Sequence, residues 1–219
     1  MLSQAVQDYL KAIYKLQGNK PVSTTELAKE LNVSGASVTG MLKRLSTMGL
    51  VSYNSYHGAK LTPAGEKVAL ETIRFHRLLE LYLKEKLNYP LDKVHEEACR
   101  LEHFISEEFI ERVNQILGDP KFDPHGHPIP TKEGKIESFD ELPLSEAEIG
   151  KNYTISHLDD DNPELLGYLE SLGILPDTKI ELIEKSPFYG PISLKLLKSQ
   201  KIHTIGYEVA KRIFLRNTN

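Results

Sequence analysis

Apolar residues return at intervals of three and four at the start of the chain, at Leu2, Val6, Leu10, Ile13 and Leu16. That period predicts an amphipathic helix over residues 3–17, ended by Gly18-Asn19. Ser23, followed by Thr24, Thr25 and Glu26, is a helix start with an acid in the first turn, and the short helix it opens has Leu27, Ala28 and Leu31 on one face. Ser34 caps a third helix, read over 34–50, in which Val38, Met41, Leu42 and Leu45 face inward while Ser37, Thr39, Lys43 and Arg44 stay polar. Two short β-prone pieces around Tyr53 and Leu61 follow, turning near His57-Gly58, before Thr62-Pro63 opens another helix. Helix, short helix, tight turn, helix and β-wing is a winged helix-turn-helix plan.

Residues 66–117 read as two long helices with apolar stripes, separated at Tyr89-Pro90. Residues 118–145 hold five prolines and three glycines and read as a loop or linker. Beyond it, short β-prone pieces at 153–158, 178–185, 192–197 and 202–206 surround one helical stretch from Asn162 to Ile174, and 207–217 reads as a last helix. So many short strands in so few residues predict a small barrel.

Composition adds little: 219 residues, 40% hydrophobic and 26% charged, fit an ordinary globular protein. No uncharged apolar run approaches the roughly 18 residues needed to span a bilayer. Asp8 interrupts the place where a signal peptide would be apolar, so the expectation is a cytoplasmic protein with no membrane association. The single cysteine, Cys99, has no partner for an intramolecular disulfide. Charge is unevenly spread. Residues 1–75 carry nine basic against five acidic side chains, a net of +4, which leaves −8 for the remainder of a chain whose total is −4. A basic first third suits a nucleic-acid reader. On the third helix and wing the candidate DNA-binding residues are Ser34, Ser37, Thr39 and Lys43 for the groove and Lys60 for the phosphates.

The chemistry concentrates in VHEEACRLEH, residues 94–103. On the helix read through it, at about 100° per residue His95, Cys99, Glu102 and His103 fall within an arc of about 100°. Imidazole, thiolate and carboxylate on one face can converge on a divalent transition metal. The preceding helix adds His76 and Glu80 at i, i+4, and the first helix adds Asp8. Neither a HExxH run nor a nucleophile elbow nor a glycine-rich phosphate loop is present, so catalysis is the weaker reading and the chain is not expected to be an enzyme.

At these residues the chain resembles the metal-dependent repressors typified by the diphtheria toxin repressor and its manganese-responsive relatives. The resemblance rests on DYLKAIYKL, VSGASVTGMLKRLSTMGLV, HRLLELYL, VHEEACRLEHFIS and DPHGHPIP, and LGILPDTKIELIEKSPFYGPISL looks like the SH3-like domain shared with ferrous-iron-transport accessory proteins. It implies a mainly α fold with a small β part: a winged helix-turn-helix DNA-binding domain over 1–73, a helical dimerisation and metal-binding domain with linker over 74–141, and an SH3-like β-barrel over 142–219. It further implies Mn(II) or Fe(II) as cofactor, and a homodimer on a palindromic double-stranded operator. The metal ligands it implies are His76, Glu80 and His95 in one site and Asp8, Cys99, Glu102 and His103 in a second. Asp123, His125 and Asp160, or a neighbour of Asp160 in the Asp159–Asp161 run, would be added from the linker and barrel.

Departures from the family bear on the metal. Iron-responsive members carry methionine where this chain has Asp8, and manganese-responsive members carry glutamate where it has Cys99. Carboxylate favours the harder Mn(II) and thiolate the softer Fe(II), so the two substitutions pull in opposite directions. Lys11 stands where short manganese regulators place a glutamate ligand, and Gly40 where the diphtheria-type repressors have a base-reading glutamine. The competing readings are a winged-helix regulator of a small organic ligand with a structural metal site, and a metallohydrolase. The stripe Val94, Ala98, Leu101, Phe104, Ile105 and Phe109 is the expected dimer seam.

Overall fold

The computed structural model describes residues 2–18 and 20–218; Asn19, half of the expected first helix stop, lies outside them. The chain folds into two compact units. The first comprises residues 1–76, 101–105 and 130–135, and the second comprises 77–100, 106–129 and 136–219, so the expected helical segment 74–141 contributes to both.

In the first unit, α1 (Gln4–Gln17), α2 (Thr24–Glu30) and α3 (Gly35–Thr47) precede a hairpin of β1 (Val51–Asn54) and β2 (Gly58–Leu61). Local chemistry sets each start. Ser23 and Glu26 form a reciprocal capping box at α2, and the Ser34 hydroxyl accepts the Ser37 N–H at α3. The hairpin pairs Val51 with Leu61 and Tyr53 with Ala59, antiparallel. Gly58 is required at its turn: φ is +92°, and a Cβ there would lie 2.3 Å from the Val22 carbonyl oxygen. Val6, Leu10, Ile13, Leu27, Val38, Leu42 and Leu45 bury their side chains together as the core, the inward faces that the period predicts. Met41 packs against it only in part.

The long helix α4 (Pro63–Leu87) opens with proline at its first position, and the preceding Thr62 hydroxyl accepts the Gly65 N–H. Its residues through His76 belong to the first unit and the rest to the second. Where one long second helix is expected there are two, α5 (Leu91–Leu101) and α6 (Glu107–Leu117). The cause is a cap: the Ser106 hydroxyl accepts the Phe109 N–H, and Glu107 and Glu108 fill the first turn, so the chain restarts after a turn over 102–105. Val94 and Ala98 of the expected dimer seam are fully buried within this single chain, whereas Phe104 is 78% exposed and Phe109 44%.

The rest of the second unit is a six-stranded sheet in the order β3-β8-β4-β5-β6-β7. Its strands are β3 (Leu142–Pro143), β4 (Asn152–Leu158), β5 (Lys179–Lys185), β6 (Ile192–Leu196), β7 (Ile202–Ile205) and β8 (Ile213–Asn217), with α7 (Pro163–Leu172) between β4 and β5 and the short α8 (Tyr207–Ala210) before β8. The expected last helix is thus one turn followed by a strand. Ile213 and Leu215 alternate into the core, and β8 lies antiparallel to β4, so a period of two overrides the helical reading of IFLRN. No helix among the described residues is long and apolar enough to cross a membrane.

Candidate metal centres and nucleic-acid interface

In the first unit Asp8, Glu102 and His103 bring three donor atoms within 4.8 Å of one another. Asp8 comes from α1, the other two from the turn after α5. His103 Nε2 is 3.0 Å from Asp8 Oδ1 and 3.2 Å from Glu102 Oε1. Its Nδ1–H donates to Gln7 Oε1 at 2.8 Å, which turns Nε2 toward the two carboxylates. One imidazole nitrogen and two carboxylates converging from two chain segments are a donor set that fits a divalent metal ion. The Glu102 side chain is 0% exposed, yet its carboxyl stays below the usual range. Burial pushes it up, but the hydrogen bond from His76 Nδ1 (2.6 Å) and the Lys11 ammonium (2.7 Å to Oε1) outweigh that. Asp8 is raised: burial prevails over the lowering by His103 and Lys11.

The second unit holds a separate donor set. Glu80 on α4 accepts His95 Nδ1–H at 3.0 Å, and His95 Nε2 lies 3.6 Å from Cys99 Sγ one turn on along α5. Glu80, His125 and Asp160 offer donors within 4.8 Å, and so do Asp123, His125 and His127. His125 is 0% exposed, and neither ring nitrogen has a hydrogen-bond partner. An orphaned buried imidazole among carboxylates is costly unless something charged fills the gap. Burial alone would lower His125, but Glu80 and Asp123 hold it above the ordinary histidine value.

The loop carrying these donors is tightly built. Asp123 Oδ1 accepts the backbone N–H groups of His125 and His127, turning Oδ2 toward the donor set. The His125 carbonyl accepts Leu158 N–H, which joins the loop to the end of β4 beside Asp159–Asp161. Gly126, at φ +94°, passes so close to β4 that a Cβ would lie 2.1 Å from the Ser156 oxygen. Arg77 donates to the Pro128 carbonyl and lies 3.5 Å from Asp123 Oδ2.

The expected groupings hold in part. The structure gathers Asp8 with Glu102 and His103, with His76 hydrogen-bonded to Glu102. It sets Cys99 beside His95, and His95 beside Glu80. The single-helix wheel for His95, Cys99, Glu102 and His103 fails because α5 ends at Leu101. Of the Asp159–Asp161 run, Asp160 supplies the oxygen near Glu80 and His125, while Asp159 pairs with Arg212. Sequence reasoning missed His127 and Arg77. The signal for His127 was the His-Gly-His doublet inside a proline-bounded loop.

The α3 cap Ser34, Ser37 and Lys43 on α3 and Lys60 on the wing are exposed, and Thr39 is half-buried. The Thr39 hydroxyl donates to the Gly35 carbonyl. Gly40 lies on the same open surface, with nothing within 4 Å of where its Cβ would be. The inward Val38, Leu42 and Leu45 leave this polar face free for a groove.

Residues 1–59 match the family described as iron dependent repressor, N-terminal DNA binding domain; residues 62–131 match its metal binding and dimerisation domain; residues 142–217 match the FeoA domain. The iron-dependent repressor IdeR of Mycobacterium leprae is 30% identical over 201 residues, 85% of this chain and 86% of that protein. An uncharacterized HTH-type transcriptional regulator of Methanocaldococcus jannaschii, MJ0568, is 40% identical over 118 residues, 53% of this chain and 94% of its own length. The solved structure of a manganese-dependent transcriptional repressor in complex with manganese superposes with a TM-score of 0.90 at 33% identity, covering 97% of this chain and 100% of that one.

Proposed function

The chain belongs to the iron-dependent repressor family, and on that premise we propose that it is a metal-activated transcriptional repressor, not an enzyme, that binds a palindromic operator as a homodimer. The observation that carries this reading is the cluster of Asp8, Glu102 and His103 in the unit that also holds the α3 reading face.

Asp8, Glu102 and His103 would hold one Mn(II) or Fe(II) ion; Glu80, Asp123, His125 and Asp160, with His95 and Cys99 adjoining, would hold another. A bound divalent ion supplies only a positive charge with directed coordination. The chain does the rest. Gln7 holds His103 in the tautomer that presents Nε2, and His76 orients Glu102. Because Asp8 lies on α1, which packs on α2 and β2, satisfying this donor set fixes α1 against the 102–105 turn and favours one setting of the helix-turn-helix. Only the difference in metal affinity between settings shifts the population, and a coupling of about 1–3 kcal/mol changes DNA affinity about 5- to 150-fold. A twofold dimer presents two α3 helices about 34 Å apart, one duplex turn.

The test is DNA binding with and without metal. A duplex selected from a random pool in Mn(II) is titrated at fixed salt, then again after chelation and after Mn(II) or anaerobic Fe(II) is restored. Chelation abolishes binding and either ion restores it; binding that survives complete metal removal contradicts the reading.

A further inference from the structure

We propose that His127, through Nδ1, is itself a metal ligand of the second unit's centre, so that two imidazoles rather than one face the ion there. The inference rests on the metal-dependent reading above and adds to it a donor from the loop that carries Asp123 and His125.

Distances carry the argument. His127 Nδ1 lies 3.4 Å from Asp123 Oδ2 and 4.0 Å from Asp160 Oδ2, and His125 Nδ1 lies 3.7 Å from Glu80 Oε2. These separations are too long for good N–H···O hydrogen bonds, and Asp123 Oδ2, both His125 nitrogens and His127 Nδ1 are buried without a hydrogen-bond partner. Two donors each about 2.1 Å from one ion stand about 3.0 Å apart at a right angle and about 3.4 Å apart at a tetrahedral angle. The 3.4 Å pair matches the tetrahedral value, and the 3.7 and 4.0 Å pairs lie below the limit of about 4.2 Å for donors on opposite sides of one ion.

Charge and preorganisation agree. Glu80, Asp123 and Asp160 bring three negative charges, of which Arg77, 3.5 Å from Asp123, offsets one. A divalent ion neutralises the other two while both imidazoles remain neutral ligands. The His127 ring is also held in place. Its backbone N–H is tied to Asp123 Oδ1, its carbonyl accepts Asp123 N–H, and its ring packs 4.9 Å from the His157 ring, which stacks on Phe214. A solvent-facing histidine needs no such support; a ligand does. A second nitrogen donor makes the set softer than three carboxylates and one histidine, and so better suited to Fe(II), Co(II) or Zn(II) than an otherwise equal Mn(II) site.

The probe is 113Cd(II). Full-length protein with 15N in its histidine rings is stripped by chelation, loaded with 113Cd(II) and read by long-range 1H–15N correlation, with His127 assigned by the signal lost in His127→Gln. The expected result is 113Cd coupling at His127 Nδ1 as well as at His125. In a Mn(II) titration followed by the paramagnetic resonance of the free ion, His127→Gln weakens one binding step by about tenfold or more and leaves the other unchanged. Cadmium coupled to His125 with His127 uncoupled and unshifted overturns the proposal and leaves the metal-dependent reading intact. Cadmium coupled to no histidine in either unit overturns both.

Discussion

Lys11→Met removes a resident cation from the first metal centre. Lys11 Nζ is 2.7 Å from Glu102 Oε1, the oxygen that also faces His103 Nε2. At that distance the gross attraction is about 6 kcal/mol for an effective dielectric of about 20. The net value is far smaller, because desolvation opposes it and the Lys11 side chain is 25% exposed. Breaking a fully buried pair costs about 3–5 kcal/mol; with His76 still bonded to Glu102 and with solvent screening, about 2 kcal/mol is the reasoned loss here. The metal-free variant should melt about 4–8 °C lower. A metal ion that takes Glu102 Oε1 must displace the same ammonium, so the variant should bind Mn(II) about 10- to 30-fold more tightly. The assay is Mn(II) titration by the resonance of the free ion in a His125→Gln background, which removes the second donor set, with melting followed in parallel. A variant that is less stable without metal but binds Mn(II) no better would refute Lys11 as a competitor for that oxygen.

Gly126→Ala should disrupt the second centre while sparing the first: the added methyl meets the Ser156 oxygen at 2.1 Å at a φ of +94°, and the cost is about 3 kcal/mol or more. Mn(II) stoichiometry falling from two to one per chain checks it. The metal-free protein should lose stability as pH rises from about 6.5, because His125 and His127 are held above their ordinary value of 6.5 by the facing carboxylates despite burial. A raised folded value contributes stability that is complete below the unfolded pKa and is lost as pH climbs through the folded one. Urea midpoints in chelator at about pH 6, 7 and 8 should decline, and midpoints that hold or rise contradict that assignment of charge. Lys60→Ala on the wing should weaken binding to the selected and to unrelated duplexes alike and reduce the salt slope by about one; loss confined to the selected sequence would make Lys60 a base reader instead.

What could be read from the chain differed by the range of the forces involved. α1 to α3 and the wing follow from local period and caps, because Leu10, Ile13, Val38 and Leu42 need only one another to define an inward face. The break before α6 was also local, since Ser106 with two acids repeats the logic of Ser23, but the strong apolar period on either side concealed it. β8 was not legible: Tyr207–Asn217 has helical spacing, and only pairing with β4 selects the strand. The same distinction runs through the sites. Donor types were visible in the sequence, whereas their partition between Asp8–Glu102–His103 and the Glu80–His125 set depends on where α5 stops. His127 and Arg77 gained significance only from the loop geometry that turns Asp123 Oδ2 toward them.

The central claim is that ligation by Asp8, Glu102 and His103 controls DNA binding. Its most direct test is the affinity of the selected duplex for wild type and for Asp8→Asn, read by fluorescence anisotropy across a Mn(II) titration at fixed salt. Asp8 is a third exposed on α1 and outside the α3 reading face, so the substitution takes away a ligand oxygen's charge without touching a DNA-facing side chain. Wild type should gain affinity with Mn(II) and Asp8→Asn should stay at the metal-free level at ion concentrations that saturate wild type. An Asp8→Asn curve that overlays the wild-type curve would contradict the account.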